Sequence, residues 1–120
     1  MLSGENKIQQ SALIWFNNTY CLKTHEPRCL MFSVPNESAN GWEAQKKVNT
    51  GLLRGASDTI VVMPGVLLFM ECKTEIGTQS QDQKIFQERV ESLGFKYYIF
   101  RSLTQFQSII QNNLLWLKKY

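Results

Sequence analysis

Three residues near the middle of the chain, Asp58, Glu71 and Lys73, are of the types that could hydrolyse a phosphodiester together. Asp58 opens an apolar run, Thr59 to Met63, and Glu71-Cys72-Lys73 closes a second run that begins at Val66. Pro64-Gly65 lies between the runs and signals a tight turn, so the spacing predicts a hairpin. Side chains alternate faces along a strand, which puts Glu71 and Lys73 on one face and Cys72 on the other. The hairpin would fold Asp58 back beside Glu71. Two carboxylates can hold a hard divalent cation such as Mg²⁺, which takes oxygen ligands and keeps several waters. Such a cation polarises a phosphate and acidifies bound water, while a nearby lysine orients that water or steadies negative charge.

A bare Glu-x-Lys is ordinarily a polar strand end with a cross-strand ion pair, because charged residues at strand ends are common. Here an apolar strand, Val66 to Met70, drives straight into the motif, and an Asp precedes the hairpin. Carboxylates converging beside a buried strand are costly, and a metal or a functional role is the usual reason they persist.

The elements that must carry these residues can be read from periodicity and punctuation. Residues 5–22 are predicted as a helix, with Ile8, Ala12, Trp15, Phe16 and Tyr20 near helical spacing and Ser3 as N-cap. Residues 23–28 contain Pro27 and form a connector. Leu30 to Val34 is a short strand stopped by Pro35-Asn36. A loop at 36–41 and a short helix from Trp42 to Asn49, ending at Gly51, come next. The hairpin strands are Thr59–Met63 and Val66–Lys73. A helix from about Ser80 to Leu93 succeeds them, its apolar face Ile85, Phe86, Val90 and Leu93 and its stop Gly94. Lys96–Phe100 is the last strand. Ser102 caps a final helix carrying Leu103, Phe106, Ile110, Leu114 and Leu117, with Lys118 and Lys119 at its negative end. The order α-β-α-β-β-α-β-α predicts a single α/β domain over residues 1–120, a central mixed sheet flanked by helices.

Composition narrows the function classes. With 43% hydrophobic and 19% charged residues, a packed domain is expected rather than disorder. No apolar run approaches the roughly 20 residues that span a bilayer. The first ten residues lack the basic-then-apolar layout of a secretion signal, so a cytoplasmic location is expected. A net charge of +3 is compatible with a nucleic-acid partner without requiring one. Three cysteines make an odd count, against a disulfide framework. Cys21, His25 and Cys29 are spaced like zinc ligands, but no fourth Cys or His lies near, and reduced cysteines acting as small buried hydrophobes are expected. His25 is the sole histidine, which excludes any mechanism needing two.

Several segments in order resemble the virus-type replication–repair nuclease (VRR-NUC) family of the PD-(D/E)xK superfamily. Gly51, Gly55 and Asp58, with Glu71-Cys72-Lys73 after them, are similar to its glycine, glycine, Pro-Asp and Glu-x-Lys pattern. Upstream, Phe32 with Pro35-Asn36 resembles a Phe-x-x-Pro-Asn segment. Downstream, Ser80 with Gln83, then Gly94, a strand and Arg101-Ser102, resembles the family's Ser-x-x-Gln helix and its succeeding glycine, strand and Arg-Ser. Ser57 stands where the superfamily pattern has proline, a position that shapes backbone but supplies no ligand. The resemblance spans nearly the whole chain.

That resemblance implies the restriction-endonuclease-like fold and a Mg²⁺- or Mn²⁺-dependent endodeoxyribonuclease for branched or junction DNA. Asp58 and Glu71 would be metal ligands with the Cys72 main-chain carbonyl, and Lys73 would position or activate water. It also implies a helix-borne acid and glutamine near the metal. Glu5 and Gln9 are four residues apart and so share a helix face. Gln83 is a further site candidate, though Ser80-x-x-Gln83 is also a capping box. Lys46, Lys47, Arg54 and Lys84 are candidates for phosphate contact, and Gly51 and Gly55 could let backbone approach phosphate. Trp42 could stack on a base. Trp116 and Tyr120 add apolar surface, and a homodimer is expected. Two readings compete: a catalytically inactive nucleic-acid-binding module of the same fold, and an interaction protein whose acids merely solvate strand ends. RNA as substrate stays open, because nothing in the sequence senses a 2′-hydroxyl.

Overall fold

Ser3 accepts a hydrogen bond from the Asn6 main chain and caps the first helix, α1, Gly4–Tyr20. A short hydroxyl serves well there because the first N–H groups of a helix lack partners. The computed structural model describes residues 3–35, 51 and 53–114. Within them come β1 (Leu30–Ser33), β2 (Thr59–Met63), β3 (Val66–Cys72), α2 (Gln81–Ser92), β4 (Lys96–Phe100) and α3 (Leu103–Asn112). The expected helix at 42–49, Lys46, Lys47, Trp42, Trp116 and Tyr120 lie outside the described residues.

The four strands form one sheet in the order β1-β2-β3-β4. β1 and β2 pair antiparallel, as do β2 and β3, whereas β3 and β4 run parallel. A parallel neighbour cannot be reached by a tight turn, and α2 makes the crossover. The result is the expected α/β architecture with a mixed sheet. Met63 pairs with Val66, so the hairpin loop is Pro64-Gly65 alone. Proline followed by a glycine at φ 69° is the residue pattern of a type II turn.

Alternation along β3 divides the core in two. Leu68, Met70 and Cys72 point to one face, where Ala12 and Phe16 of α1 and Phe106 and Ile110 of α3 cover them. Phe100 and Phe106 pack with tilted rings 5.0 Å apart, and Phe16 meets Phe106 edge-on at 6.3 Å. Each such ring, fully buried, contributes roughly 1.5–3 kcal/mol. Phe69 and Tyr97 point to the other face and pack with Phe86 and Val90 of α2. Cys21 and Cys29 are free and buried in the first cluster, while His25 Nδ1 accepts the Leu22 N–H in the turn after α1. That ring nitrogen is occupied by a backbone bond.

Element ends differ from expectation in places with visible causes. α1 stops at Tyr20 rather than at 22, because the Tyr20 carbonyl accepts from Cys29 N–H and residues 22–25 form a turn. β1 ends at Ser33 and β3 at Cys72, each one residue early. α3 ends at Asn112 and does not continue through Leu114. Asn113 is the reason. Its side chain donates to the Ile109 carbonyl and the Tyr98 hydroxyl and accepts from Lys96 Nζ, so local side-chain bonds replace another helical turn.

Gly55 governs how the loop before β2 meets α2. It sits at φ 78°, and a Cβ there would overlap the Asp82 carbonyl and lie 2.8 Å from the Gln83 nitrogen. Glycine is therefore demanded by packing and backbone together. Gly55→Ala is expected to destabilise the protein by about 2–4 kcal/mol, from left-handed strain plus overpacking. The urea midpoint of unfolding, compared with wild type, measures it; an unchanged midpoint would refute this packing.

Candidate active site

Asp58 immediately precedes β2 and is tied on two sides. Its Oδ2 accepts a 2.8 Å hydrogen bond from the Cys72 N–H, and its main-chain carbonyl accepts from Val34 N–H at 2.8 Å. The first bond closes the open end of the hairpin. It also brings the Asp58 carboxylate to the end of β3, where Glu71 is fully buried. Beside Asp58, Ser57 is buried and its hydroxyl donates to the Thr59 carbonyl at 3.4 Å.

Glu71 is held at both oxygens. The Tyr97 hydroxyl donates to Oε1 and Gln83 Nε2 donates to Oε2, each at 3.2 Å. Tyr97 reaches because Glu71 pairs with Ile99 across β3 and β4, which puts Tyr97 one side-chain repeat away on the same face. Gln79 Nε2 donates to the Tyr97 hydroxyl in turn, at 3.3 Å. Lys73 Nζ lies 3.9 Å from Glu71 Oε2, the one ion pair among the described residues. Glu71 and Lys73 thus share a face. Cys72 turns the other way, into the core, and its thiol donates to the Glu5 carbonyl at 3.4 Å.

Gln83 does two jobs with one side chain. Its Oε1 accepts the Ser80 N–H while Ser80 Oγ accepts the Gln83 N–H, a reciprocal capping box at the start of α2. With Oε1 committed to the cap, the amide must present Nε2 to Glu71. Capping and site contact are one arrangement.

Electrostatics reflect the crowding of acids. Burial, then the Asp58 charge and a hydrogen bond shared with Asp58, push Glu71 up to about 8; Lys73 and Tyr97 oppose the rise. Burial and the Asp58 charge also raise Glu5, with Lys73 opposing, which sets Glu5 within electrostatic reach of both. Burial and the neighbouring acids push the Cys72 thiol up to about 12, so it stays neutral. Tyr97 is raised by burial and by Glu71.

The structure therefore brings together Asp58, Glu71, Lys73, Glu5 and Gln83. Gln9 is half-buried one turn after Glu5 but makes no side-chain hydrogen bond to this group. Arg54 and Lys84 are exposed beside Gly55 and Gln83, whose packing against each other sets their neighbourhood. Two contributors, Tyr97 and Gln79, escaped sequence reasoning, and Arg101 was singled out only as part of an Arg-Ser segment, without a role. Tyr97 looks like a core aromatic in sequence. Its alignment with Glu71 depends on the parallel register. Arg101 Nη1 donates to the carbonyls of Thr74 and Gly77 at 2.7 and 2.6 Å, fastening the loop after Lys73.

At the level of sequence, no family model and no curated protein matches the chain. Solved structures do. One described as "VRR_NUC domain protein" is similar over 93% of this chain and 88% of its own, with TM-score 0.72 and 18% identity. Another, described as "VRR_NUC domain", is similar over 93% of this chain and 99% of its own, with TM-score 0.64 and 21% identity. The chain has the VRR_NUC fold. The likeness agrees with the motifs read from the sequence and extends over the same span. No helix among the described residues is long and apolar enough to cross a membrane.

Among the described residues, no three Cys, His, Asp or Glu side chains form a cage for a metal ion. A cation such as Mg²⁺ does not need one, since one or two carboxylates and retained waters suffice. The Asp58 and Glu71 carboxylates are oxygen donors of the kind a hard cation takes, and they stand side by side at the end of β3. For the metal-free protein the Glu71 shift has a definite pH signature. Its folded value, about 8, lies above the ordinary carboxyl value of 4.5, so the folded chain keeps a proton that the unfolded chain releases. The associated stability is fully present below the unfolded value and is lost as pH rises through the folded one. Unfolding midpoints measured in EDTA should fall from about pH 5 to 9, and Glu71→Gln should flatten that slope. An equal slope in the variant would contradict the assignment.

Proposed function

We propose that this chain is a divalent-metal-dependent endodeoxyribonuclease that hydrolyses DNA phosphodiester bonds, acting at branched or otherwise structured sites. The observation that carries the reading is the convergence of Asp58, Glu71 and Lys73 at one sheet end, in a VRR_NUC fold. An interaction protein has no need to bury Glu71 against Asp58, since polar strand ends are solvated without cost. A catalytically idle DNA binder has no need for it either.

In the proposed mechanism Asp58 and Glu71, with the Cys72 main-chain carbonyl, would hold Mg²⁺ or Mn²⁺. The bound ion would supply Lewis-acid polarisation of the scissile phosphate and a more acidic water. The Cys72 N–H fixes the Asp58 carboxylate at the end of β3, where it would serve as a ligand. The Tyr97 and Gln83 donors would stabilise Glu71 as a carboxylate once an ion were bound. Lys73, buried with its ammonium beside Glu71, orients the attacking water or offsets charge on the phosphate. Glu5 adds a further acid across from Lys73, and Gln9 stands behind it on α1. Arg54 and Lys84, together with Lys46 and Lys47, hold flanking phosphates. A homodimer would present two such sites to one branched substrate, and Leu30 and Phe32, about half-exposed on edge strand β1, offer apolar surface for pairing.

A cleavage panel tests this reading: single strand, duplex, flap and four-way junction, each with Mn²⁺ and with EDTA. Structured DNA should be cut in Mn²⁺ and left intact in EDTA. Asp58→Ala and Lys73→Ala should each lower the rate by about 10³-fold while leaving the fold intact by circular dichroism. Cutting that persists in EDTA, or survives both substitutions, would remove the mechanism. Mn²⁺ should also raise the melting temperature of wild type, and do so more at pH 8.5 than at pH 6, because loading expels the Glu71 proton. A pH-independent increment would argue against Glu71 as a ligand.

A further inference from the structure

We propose that Ile76 is an apolar wedge that enters the base stack of bound DNA beside the scissile phosphate, an inference that rests on the nuclease reading above. Ile76 is 90% exposed, the most exposed large hydrophobic side chain among the described residues. Exposed apolar residues scattered over a surface are ordinary and by themselves mean little. Ile76 is distinguished by where it stands and how firmly it is held.

It occupies the tip of a tight turn. Gly77 N–H donates to the Thr74 carbonyl at 3.2 Å, which makes Glu75 and Ile76 the two corner residues. Corners of that kind are filled mainly by Gly, Pro, Asn, Asp and Ser, each for a conformational or hydrogen-bonding reason. A β-branched aliphatic side chain contributes neither, and at this exposure it packs against nothing in the fold. The turn is nevertheless anchored as if its shape mattered. One guanidinium nitrogen of Arg101, from the end of β4, grips the Thr74 and Gly77 carbonyls on either side of the corner. The Arg101 main chain is itself fixed by Gln105 Oε1 at 2.7 Å. Ile76 is also stiff at χ1, so the presented shape loses little entropy on contact.

Position supplies the target. Ile76 is three residues after Lys73, so at most about 11 Å of chain separates their Cα atoms. The turn folds back further, because a Cβ on Gly77 would lie 3.5 Å from Lys73 Cδ. Duplex DNA rises about 3.4 Å per base pair, which puts the tip within about three base pairs of a phosphate at Lys73. An aliphatic side chain there has no charge for phosphate and no donor for a base edge. It can only displace water from the flat face of a base, as aliphatic wedges do when they open a base step. A wedge reads deformability rather than sequence, and steps at junctions and flaps yield most easily.

The test uses full-length protein and a flap or junction whose cut position has first been mapped in Mn²⁺. 2-Aminopurine is placed within three bases of that position, and fluorescence is read with Ca²⁺ in place of Mn²⁺ to hold the complex uncut. Wild type should raise the fluorescence as the base unstacks. Ile76→Ser should bind with an unchanged salt dependence but lose the rise. Its kcat/KM on the structured substrate should drop on the order of tenfold while the unfolding midpoint stays put. Ile76→Leu should restore both readouts. If wild type cleaves and Ile76→Ser matches it in fluorescence and rate, the wedge is overturned and the nuclease stands. If wild type cleaves none of the panel, the nuclease reading fails and the wedge fails with it.

Discussion

The hydrogen bond from the Cys72 N–H to Asp58 Oδ2 is the contact on which the candidate site depends. A hairpin as short as Pro64-Gly65 aligns two strands but says nothing about how their far ends are joined. There, β2 has run out of regular structure and Asp58 bonds to the end of β3 with its side chain. A charged acceptor on a backbone donor is among the stronger hydrogen bonds available. It also forces a second carboxylate, on Glu71, into the neighbourhood of the first. The crowding of acids stems from that tie, and the Asp58 charge it brings close adds to the burial that raises Glu71.

Burying Glu71 would be prohibitive without compensation, and the surrounding elements are arranged to supply it. Tyr97 from β4, Gln83 from α2 and Lys73 from just past the end of β3 reach the same carboxyl. Each comes from a different part of the fold, so the site doubles as a junction between elements. α2 is placed by Gly55, whose missing side chain lets the loop before Asp58 lie on the helix's first turn. The capping box then aims the Gln83 amide. Helix start, loop conformation and carboxyl support are consequently coupled, and a change in any one is transmitted to the others.

The loop after Lys73 shows a different economy. Regular structure ends at Cys72, yet the next turn is gripped by Arg101 through main-chain carbonyls rather than through side-chain packing. Carbonyl anchoring fixes a loop's path while leaving its side chains free for solvent or for a partner. The opposite end of the sheet, around Asn113, Lys96 and Tyr98, has its polar groups satisfied internally.

Much of this was legible from residue order. The hairpin, the helix after Ser80, the last strand and the placing of Glu71 and Lys73 on one face all come from period and punctuation, which are local properties of the chain. Local signals also placed Asp58 at the mouth of the hairpin. Residue order could not supply anything set by the register of β3 against β4 or by which backbone a glycine touches. Tyr97 became a partner of Glu71 only through the parallel pairing. Gly55 proved to pack on α2, and Asn113 ended α3 a turn before its apolar stripe ran out. Each of these depends on groups distant in sequence meeting in space. A periodicity records which face of an element is apolar, but not which atoms the fold will set against it.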